Sequence, residues 1–317
     1  MSSRRKFIQE TAITTGGLFL ASSAFSSFFI AKKPKVIIIG AGFAGLAAAK
    51  YLHKKGIDFV ILEARNRISG RVFSHTIDEK ENLIIELGAE WVGNSHERIH
   101  NLCNEFGLEL QNNQFDTHLI YKGNYYKKNE WDYSEDWNKK FKAIIDHYPK
   151  LTQAEKLKID KMDWWRFLVN NGCEGRDLDI RELLDSTDFG ETIRSVSAFA
   201  ALAEYAESSE KNEMDLKIKG GNSMLAKKIA DKIGNDKIKL QHAVSRVVQN
   251  SKGGVTVYCN NGQKFTADKI ICTAPTFAVK KIKWEPGLPV DQVNAMNELQ
   301  YARINKNPIV FKKRFWN

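Results

Sequence analysis

One stretch limits what this chain can fold into more than any other. Val36-Ile-Ile-Ile39 runs into Gly40-Ala-Gly42-Phe43-Ala44-Gly45, and Leu-Ala-Ala-Ala-Lys-Tyr-Leu follows. Four β-branched residues in a row suit a strand buried on both faces, and the alanine-rich run suits a helix. That helix is expected to stop at Lys54, Lys55 and Gly56, two cations and a glycine suited to a helix C-terminus. A second apolar run, Phe59–Leu62, ends in Glu63, about 20 residues beyond the first glycine. Each part of this strand-turn-helix-strand unit serves dinucleotide binding. Gly40 makes the tight turn, Gly42 lets the backbone approach a pyrophosphate, and Gly45 lets the helix pack close to the strand. The N–H groups and dipole at the helix start attract phosphate, and Glu63 is suited to a ribose hydroxyl pair. A bare glycine spacing is weak, and a purely structural βαβ unit is the competing reading. On this unit alone the nucleotide is NAD or FAD.

The residues that follow decide between them. Glu63-Ala64-Arg65-Asn-Arg67-Ile-Ser69-Gly70-Arg71 resembles the second motif of the flavin-containing amine oxidases, where an acid leads through basic residues to a Gly-Gly-Arg turn. In that family the turn lies against the flavin's phosphates and ribityl chain; this chain departs from it with Ser69 at the first glycine. Glu86-Leu-Gly88-Ala89-Glu90-Trp91-Val-Gly93 is similar to the family segment that passes the isoalloxazine ring, and its small residues permit close backbone approach to a flat ligand. The plain alternative for this segment is a strand and turn of small residues.

Lys219-Gly220-Gly221-Asn-Ser-Met-Leu225 resembles the family's return into the FAD domain. Val244 falls where the family's valine meets the adenine through its backbone, and Ile270-Ile-Cys-Thr273-Ala-Pro275 matches the closing strand. Lys306, ahead of Trp316, matches the spacing of the family lysine that holds a water beside flavin N5; its plain alternative is a surface lysine beside Lys312 and Lys313. The resemblance implies an α/β fold: a Rossmann-like FAD-binding domain over 34–94 and 216–282, with an inserted α+β, mostly helical substrate domain over 95–215 and 283–317. It also implies a reaction, in which a neutral amine or amino acid gives the equivalent of a hydride to flavin N5. The resulting imine is hydrolysed by water, and dioxygen takes the electrons to become hydrogen peroxide. Positioning the carbon, excluding water and tuning the ring's electrostatics are the protein's share. A related FAD desaturase or other flavin oxidoreductase shares these motifs.

Of the 317 residues, 43% are hydrophobic and 27% charged, ordinary for a globular chain large enough for two domains. The net charge of +10 arises from scattered lysines rather than a basic stripe with interleaved aromatics, so no nucleic-acid partner is expected. Cys103, Cys173, Cys259 and Cys272 show no CxxC pairing or histidine spacing, which argues against a metal site. Cys272, in an expected buried strand, reads as a small core residue.

Residues 1–33 resemble a twin-arginine export signal. Arg4-Arg5-Lys6-Phe7-Ile8 precedes a charge-free stretch, residues 11–31, too diluted by Thr, Ser and Gly for a good membrane span, and Ser22-Ser23-Ala24 offers small residues for cleavage. This predicts export to the periplasm, with an uncleaved membrane-contacting anchor as the alternative. Further on, residues 96–106 have helical spacing stopped by Gly107, and Leu119–Tyr121 with Tyr125-Tyr126 reads as a hairpin. The stretch 131–206 is mostly helical, with breaks near Pro149, Gly172 and Gly190. Trp164, Trp165 and Phe167 at helical spacing read as core before pocket. Residues 255–259 and 264–267 form a second hairpin around Asn261-Gly262, and an apolar strand is expected at 309–311. Family members continue for well over a hundred residues past this point. The chain is therefore expected to be truncated, completed by a separate C-terminal polypeptide or a second copy of itself, or else to be a non-catalytic remnant.

Overall fold

The computed structural model of the chain describes residues 35–208, 215–251 and 253–313. The twin-arginine-like segment, the apolar stretch behind it and Trp316 lie outside the described residues. In chain order the strands are β1 Val36–Ile39, β2 Phe59–Leu62, β3 Ser74–Asp78, β4 Leu83–Glu86, β5 Leu110–Asn112, β6 Leu119–Tyr121, β7 Asn124–Tyr126, β8 Leu216–Ile218, β9 Ile238–Lys239, β10 Val244–Gln249, β11 Val255–Cys259, β12 Lys264–Ala267, β13 Lys269–Cys272 and β14 Lys283–Glu285. The helices are α1 Phe43–Lys54, α2 Glu97–Phe106, α3 Glu135–His147, α4 Gln153–Asp160, α5 Trp164–Asn170, α6 Gly175–Phe189, α7 Ala198–Glu207, α8 Ser223–Ile233, α9 Thr276–Val279 and α10 Val290–Glu298.

The organising layer is a parallel sheet of order β13-β1-β2-β9. Every residue of β1 and β2 is buried, as continuous Val/Ile/Leu/Phe runs require of a strand covered on both faces. Strand alternation divides the runs. Val36, Ile38, Phe59 and Ile61 face a helical layer containing Leu46, Ala49, Leu225, Ile229 and Cys103. Ile37, Ile39, Val60 and Leu62 face Val247, Val255 and Val257 of a second sheet, β12-β11-β10-β14. Full burial of each such side chain stabilises by about 1.5–3 kcal/mol, so these two strands anchor two cores at once. The hairpin expected around Asn261-Gly262 forms, and its role is to cover this second face.

From β1 the chain crosses through α1 to β2 on one side, while β13 joins β1 on the other. β1 therefore lies where the strand order reverses, and open parallel sheets bind ligands beyond the carboxyl ends of the strands at such a point.

Helices α3 to α7 build a separate core. Trp164 stacks on Phe167 and Tyr205, with centroids 5.3 and 6.0 Å away. Asp185, fully buried, accepts from the Trp164 indole and the Tyr205 hydroxyl, both at 2.6 Å, and lies 3.6 Å from the Arg181 guanidinium. Burial pushes the Asp185 carboxyl up, opposed by these donors. Trp164 and Phe167 are thus core, as their helical spacing predicts; Trp165 is half-buried and carries Arg194 over its ring. The Leu119 hairpin forms with Asn124 in its second strand and Lys122-Gly123 as the turn.

Two expectations fail. Residues 309–311 form no strand: no sheet among the described residues includes this segment, and Ile309 and Val310 are exposed. Apolar β-branched residues favour a strand only where a ladder partner exists. Cys272 is exposed rather than core, because it ends the edge strand β13 at the open rim of the sheet. No helix among the described residues is long and apolar enough to cross a membrane.

An ion pair ties the second sheet together. Arg246 on β10 holds Glu285 on β14 through two bonds of 3.0 and 2.5 Å, and Lys283 adds a contact at 2.9 Å. The hydrogen bonds from Arg246, then from Lys283, hold the Glu285 carboxyl down at about 2. An ordinary glutamate titrates near 4.3. The folded value lies below the unfolded one, so the stabilising contribution is present above pH about 4.3 and is lost as pH falls through about 2. The melting temperature of the native protein should therefore fall more steeply than that of Glu285→Gln between pH 4.3 and 2; parallel curves would contradict this assignment.

Candidate dinucleotide-binding site

The carboxyl ends of β1, β2, β9 and β13 meet at one rim, and the turn after β1 forms its centre. Gly40 has φ of 102°, in the left-handed region that a side chain disfavours. A Cβ on Gly45 would lie 1.9 Å from the Gly40 carbonyl oxygen, so only glycine lets α1 start this close to the strand. Thr273, just past β13, closes the other side: its hydroxyl donates to the Ile39 carbonyl at 2.8 Å. Gly42 precedes α1 with extended backbone, and no side chain caps the helix. A Cβ on Gly42 would meet only the Gly70 Cα, at 3.8 Å. The uncapped N–H groups and the positive end of α1 are therefore chemically suited to a phosphate.

Glu63 is buried at the end of β2. One carboxylate oxygen accepts from the Ala41 N–H at 2.7 Å and the other from the Arg65 N–H at 2.8 Å. Each oxygen keeps a second lone pair for a ribose hydroxyl. Ala64 and Arg65 are exposed beside it. The next turn returns to the cradle: the Ser69 N–H donates to the Ala41 carbonyl at 2.9 Å, and Ser69 bridges Gly42. Arg65 reaches the Gly70 carbonyl at 3.4 Å, Arg71 lies over the Tyr301 ring, and Arg67 covers the Phe73 ring at 4.1 Å. Burial and the neighbouring Arg65 charge pull the Arg67 guanidinium down from its ordinary value. Phe43 is half-buried against the helical core and Ala44 is exposed.

Residues 86–91 run beside this turn. Ala89 donates to the Arg71 carbonyl at 3.1 Å, and a Cβ on Gly88 would lie 2.1 Å from that same oxygen. Lys306 reaches the segment from far along the chain. Its ammonium donates to the carbonyls of Glu86 at 3.1 Å and Gly88 at 2.9 Å and to the Glu90 carboxylate at 3.1 Å. An ammonium has three donors, so Lys306 must release one of these acceptors to hold a water. Trp91 is half-buried, its ring tilted against Phe115 at 5.4 Å, at the edge of a polar cleft lined also by Asn113, Asp116 and Asp215. Val244 begins β10 next to the Glu63 end of β2, since the His242 N–H donates to the Glu63 carbonyl at 2.8 Å and the Gln241 N–H to the Arg65 carbonyl at 2.9 Å. Of the residues singled out in sequence, Gly40, Gly42, Gly45, Glu63, Arg65, Gly70 and Arg71 thus surround this turn, and Gly88, Ala89 and Lys306 join it through the Arg71 and Gly88 carbonyls, whereas Phe43 packs into the helical core and Trp91 faces a separate cleft.

Sequence reasoning missed the polar clamp behind it. Buried Glu86 accepts from the Ser74 hydroxyl and, at 2.8 Å, from the Asn222 N–H. Asn222 also donates its amide to the carbonyls of Ala89 at 3.2 Å and Glu90 at 2.6 Å, and accepts from the Ile218 N–H at 2.9 Å. Ser74 and Ser223 exchange backbone-to-hydroxyl bonds of 2.9 Å each. Nothing in sequence tied Asn222, the residue before α8, to Glu86. His96 and His100 bond Gly93 backbone groups, which are structural duties. Burial pushes the thiols of Cys103, Cys259 and Cys173 up, the last to about 12, so none is a ready nucleophile.

The chain belongs to the flavin containing amine oxidoreductase family, whose model matches residues 43–317. Human amine oxidase [flavin-containing] B is 25% identical over 313 residues, covering 90% of this chain and 59% of that protein. Mouse L-amino-acid oxidase is 28% identical over 324 residues, covering 90% and 49%. The fold superposes on putrescine oxidase bound to putrescine with a TM-score of 0.71 and 24% identity, covering 84% of this chain and 63% of that one. The chain thus spans about half to three-fifths of the length of these curated relatives.

Two glycines separate folding from binding. Gly45→Ala forces the α1 start away from Gly40 and should lower stability to urea by about 3 kcal/mol. Gly42→Ala meets only a 3.8 Å contact and should stay within about 0.5 kcal/mol of the native protein. Equal stability of the two variants would contradict the close-packing account.

Proposed function

We propose that this chain holds FAD at the rim around Gly40–Gly45 and takes part in the two-electron oxidation of a small amine or amino acid. The observation that carries this reading is the meeting, at one sheet rim, of the open α1 N-terminus, the Glu63 carboxylate, the Arg65–Arg71 turn, residues 86–91 and Lys306. The rim fits the cofactor on its own terms: an uncapped helix start behind Gly42, an acid placed for a ribose, and three arginines nearby. When bound, FAD supplies the acceptor for the amine's α-C–H electrons, which dioxygen then removes as hydrogen peroxide. The chain's own part is orientation and electrostatics. The α1 dipole and the arginines neutralise the pyrophosphate, and Glu63 fixes the ribose while bracing the turn. The Lys306–Glu90 pair sets the charge beside the Gly88 segment, and release of one Lys306 donor frees it to hold a water there.

The family names the substrate class only through its members: putrescine, amine and L-amino-acid oxidases are what those relatives are called. The mostly helical stretch over α3 to α7 serves as the substrate-side domain in this reading, and the resemblance of residues 1–33 to a twin-arginine signal supports export to the periplasm as part of it. A second reading, a flavoprotein completed by a separate polypeptide, is favoured by the exposed apolar side chains of Ile304, Ile309 and Val310. Co-purification of a second chain would support it, and a monodisperse monomer that oxidises amines alone would rule it out.

Reconstitution tests the main reading. Purified protein mixed with FAD and desalted should retain a flavin absorbance band, and a panel of monoamines, diamines and amino acids should yield peroxide with at least one class. Folded protein that retains no flavin would sink the proposal.

A further inference from the structure

The polar cleft beside Trp91 has no part in the cofactor site. It encloses about 590 Å³, within the range of about 300–1,000 Å³ common to small-molecule sites. Backbone pairing builds it. Val92 and Leu216 exchange N–H···O bonds of 2.7 and 3.0 Å, Leu216 pairs with Asn112 across β5 and β8, and the Asn113 N–H donates to the Asp215 carbonyl at 2.6 Å. These bonds bring Trp91, Asn113 and Asp215 to one edge, and all three line the cleft. Phe115 also lines it, its ring tilted against Trp91 at 5.4 Å; at 68% exposure it is a wall of the cleft and not a core residue. The charges do not balance. Lys128 lines the cleft but donates to Asp116 at 2.8 Å, while Asp215 has no side-chain partner among the described residues. Glu90 links the cleft to the rim: one of its oxygens takes the Lys306 ammonium at 3.1 Å and the other the Asn113 amide at 3.4 Å. Lys306 and the cleft wall therefore lie on either side of a single carboxylate.

We propose that this cleft is the subsite for the second, non-reacting ammonium of an alkyl diamine, so that the substrate class is a diamine rather than a monoamine or an amino acid. The inference rests on the amine-oxidation reading above and narrows it. Aromatic faces and an unpaired carboxylate both attract an ammonium. A carboxylate on the ligand would instead meet Asp116 and Asp215, with Lys128 already held by one of them. An uncharged alkyl end would leave Asp215 unpaired, so a monoamine forgoes both attractions. Trp91 and Asp215 are the specificity-determining residues in this assignment.

Calorimetric titration of the full chain, before and after loading with FAD, tests the assignment with three ligands of equal chain length: 1,4-diaminobutane, butylamine and 4-aminobutyrate. The second ammonium adds an exposed ion pair and a cation–π contact, so the diamine should bind about tenfold more tightly than butylamine. The ligand with a carboxylate in that place should bind most weakly. Asp215→Asn should erase most of the diamine's advantage and Asp215→Glu should restore it; Trp91→Leu, which leaves the charge unchanged, should also reduce it. Equal binding of diamine and butylamine, or an advantage that survives Asp215→Asn, would overturn the inference. Flavin retention without the diamine advantage would do so too and leave the cofactor reading standing. The advantage without flavin retention would support the cation subsite and overturn the cofactor reading.

Discussion

The hydrogen bond from the Ala41 N–H to the buried Glu63 carboxylate, 2.7 Å long, is the constraint on which the site depends. It joins the turn after β1 to the end of β2, so the two strand ends cannot shift independently. The same carboxylate takes the Arg65 N–H, and the Arg65 carbonyl takes the Gln241 N–H, so one acid starts a chain of contacts from β1 across to the turn that leads into β10. A buried carboxylate with two backbone donors is stable where it stands and costly to leave unpaired. It fixes the cradle before any ligand arrives.

Around that fixed point the structure gathers segments from distant parts of the chain. Thr273 closes the turn from β13, and Ser69 and Gly70 close it from above. Residues 86–90 are held from two sides, by Asn222 ahead of α8 and by Lys306 near the end of the described residues. Both clamps bond to main-chain carbonyls, so they set the path of the backbone rather than the placement of one side chain. A flat ligand that must lie against bare backbone needs that path set accurately. The apolar layers on either side of β1 and β2 supply the rigidity, since both faces of these strands are packed.

Much of this was legible in the residues. The glycine spacing, the continuous apolar strands and the acid at the end of the second run are local features with local causes, and they gave β1, α1, β2 and Glu63 in register. The hairpin at Asn261-Gly262 was equally local. The clamp of Ser74, Glu86, Asn222 and Ser223 was not legible, because partners more than a hundred residues apart leave no spacing to read. The buried Asp185 escaped for a different reason: Arg181 is one turn away on its own helix, but Trp164 and Tyr205 come from flanking helices whose packing decides which face is buried. The strand expected at 309–311 shows the opposite error: composition speaks for a strand, but pairing decides whether one forms. Cys272 was placed in the core from its apolar neighbours, whereas its position at the end of an edge strand exposes it.

Amide hydrogen exchange with and without FAD tests the central claim most directly. If the rim around Gly40 is the preformed cofactor site, added FAD should slow exchange in residues 40–46, 63–71 and 86–91 and leave helices α3 to α7 unchanged. Protection confined to the helical core, with the 40–46 amides exchanging as before, would contradict the account.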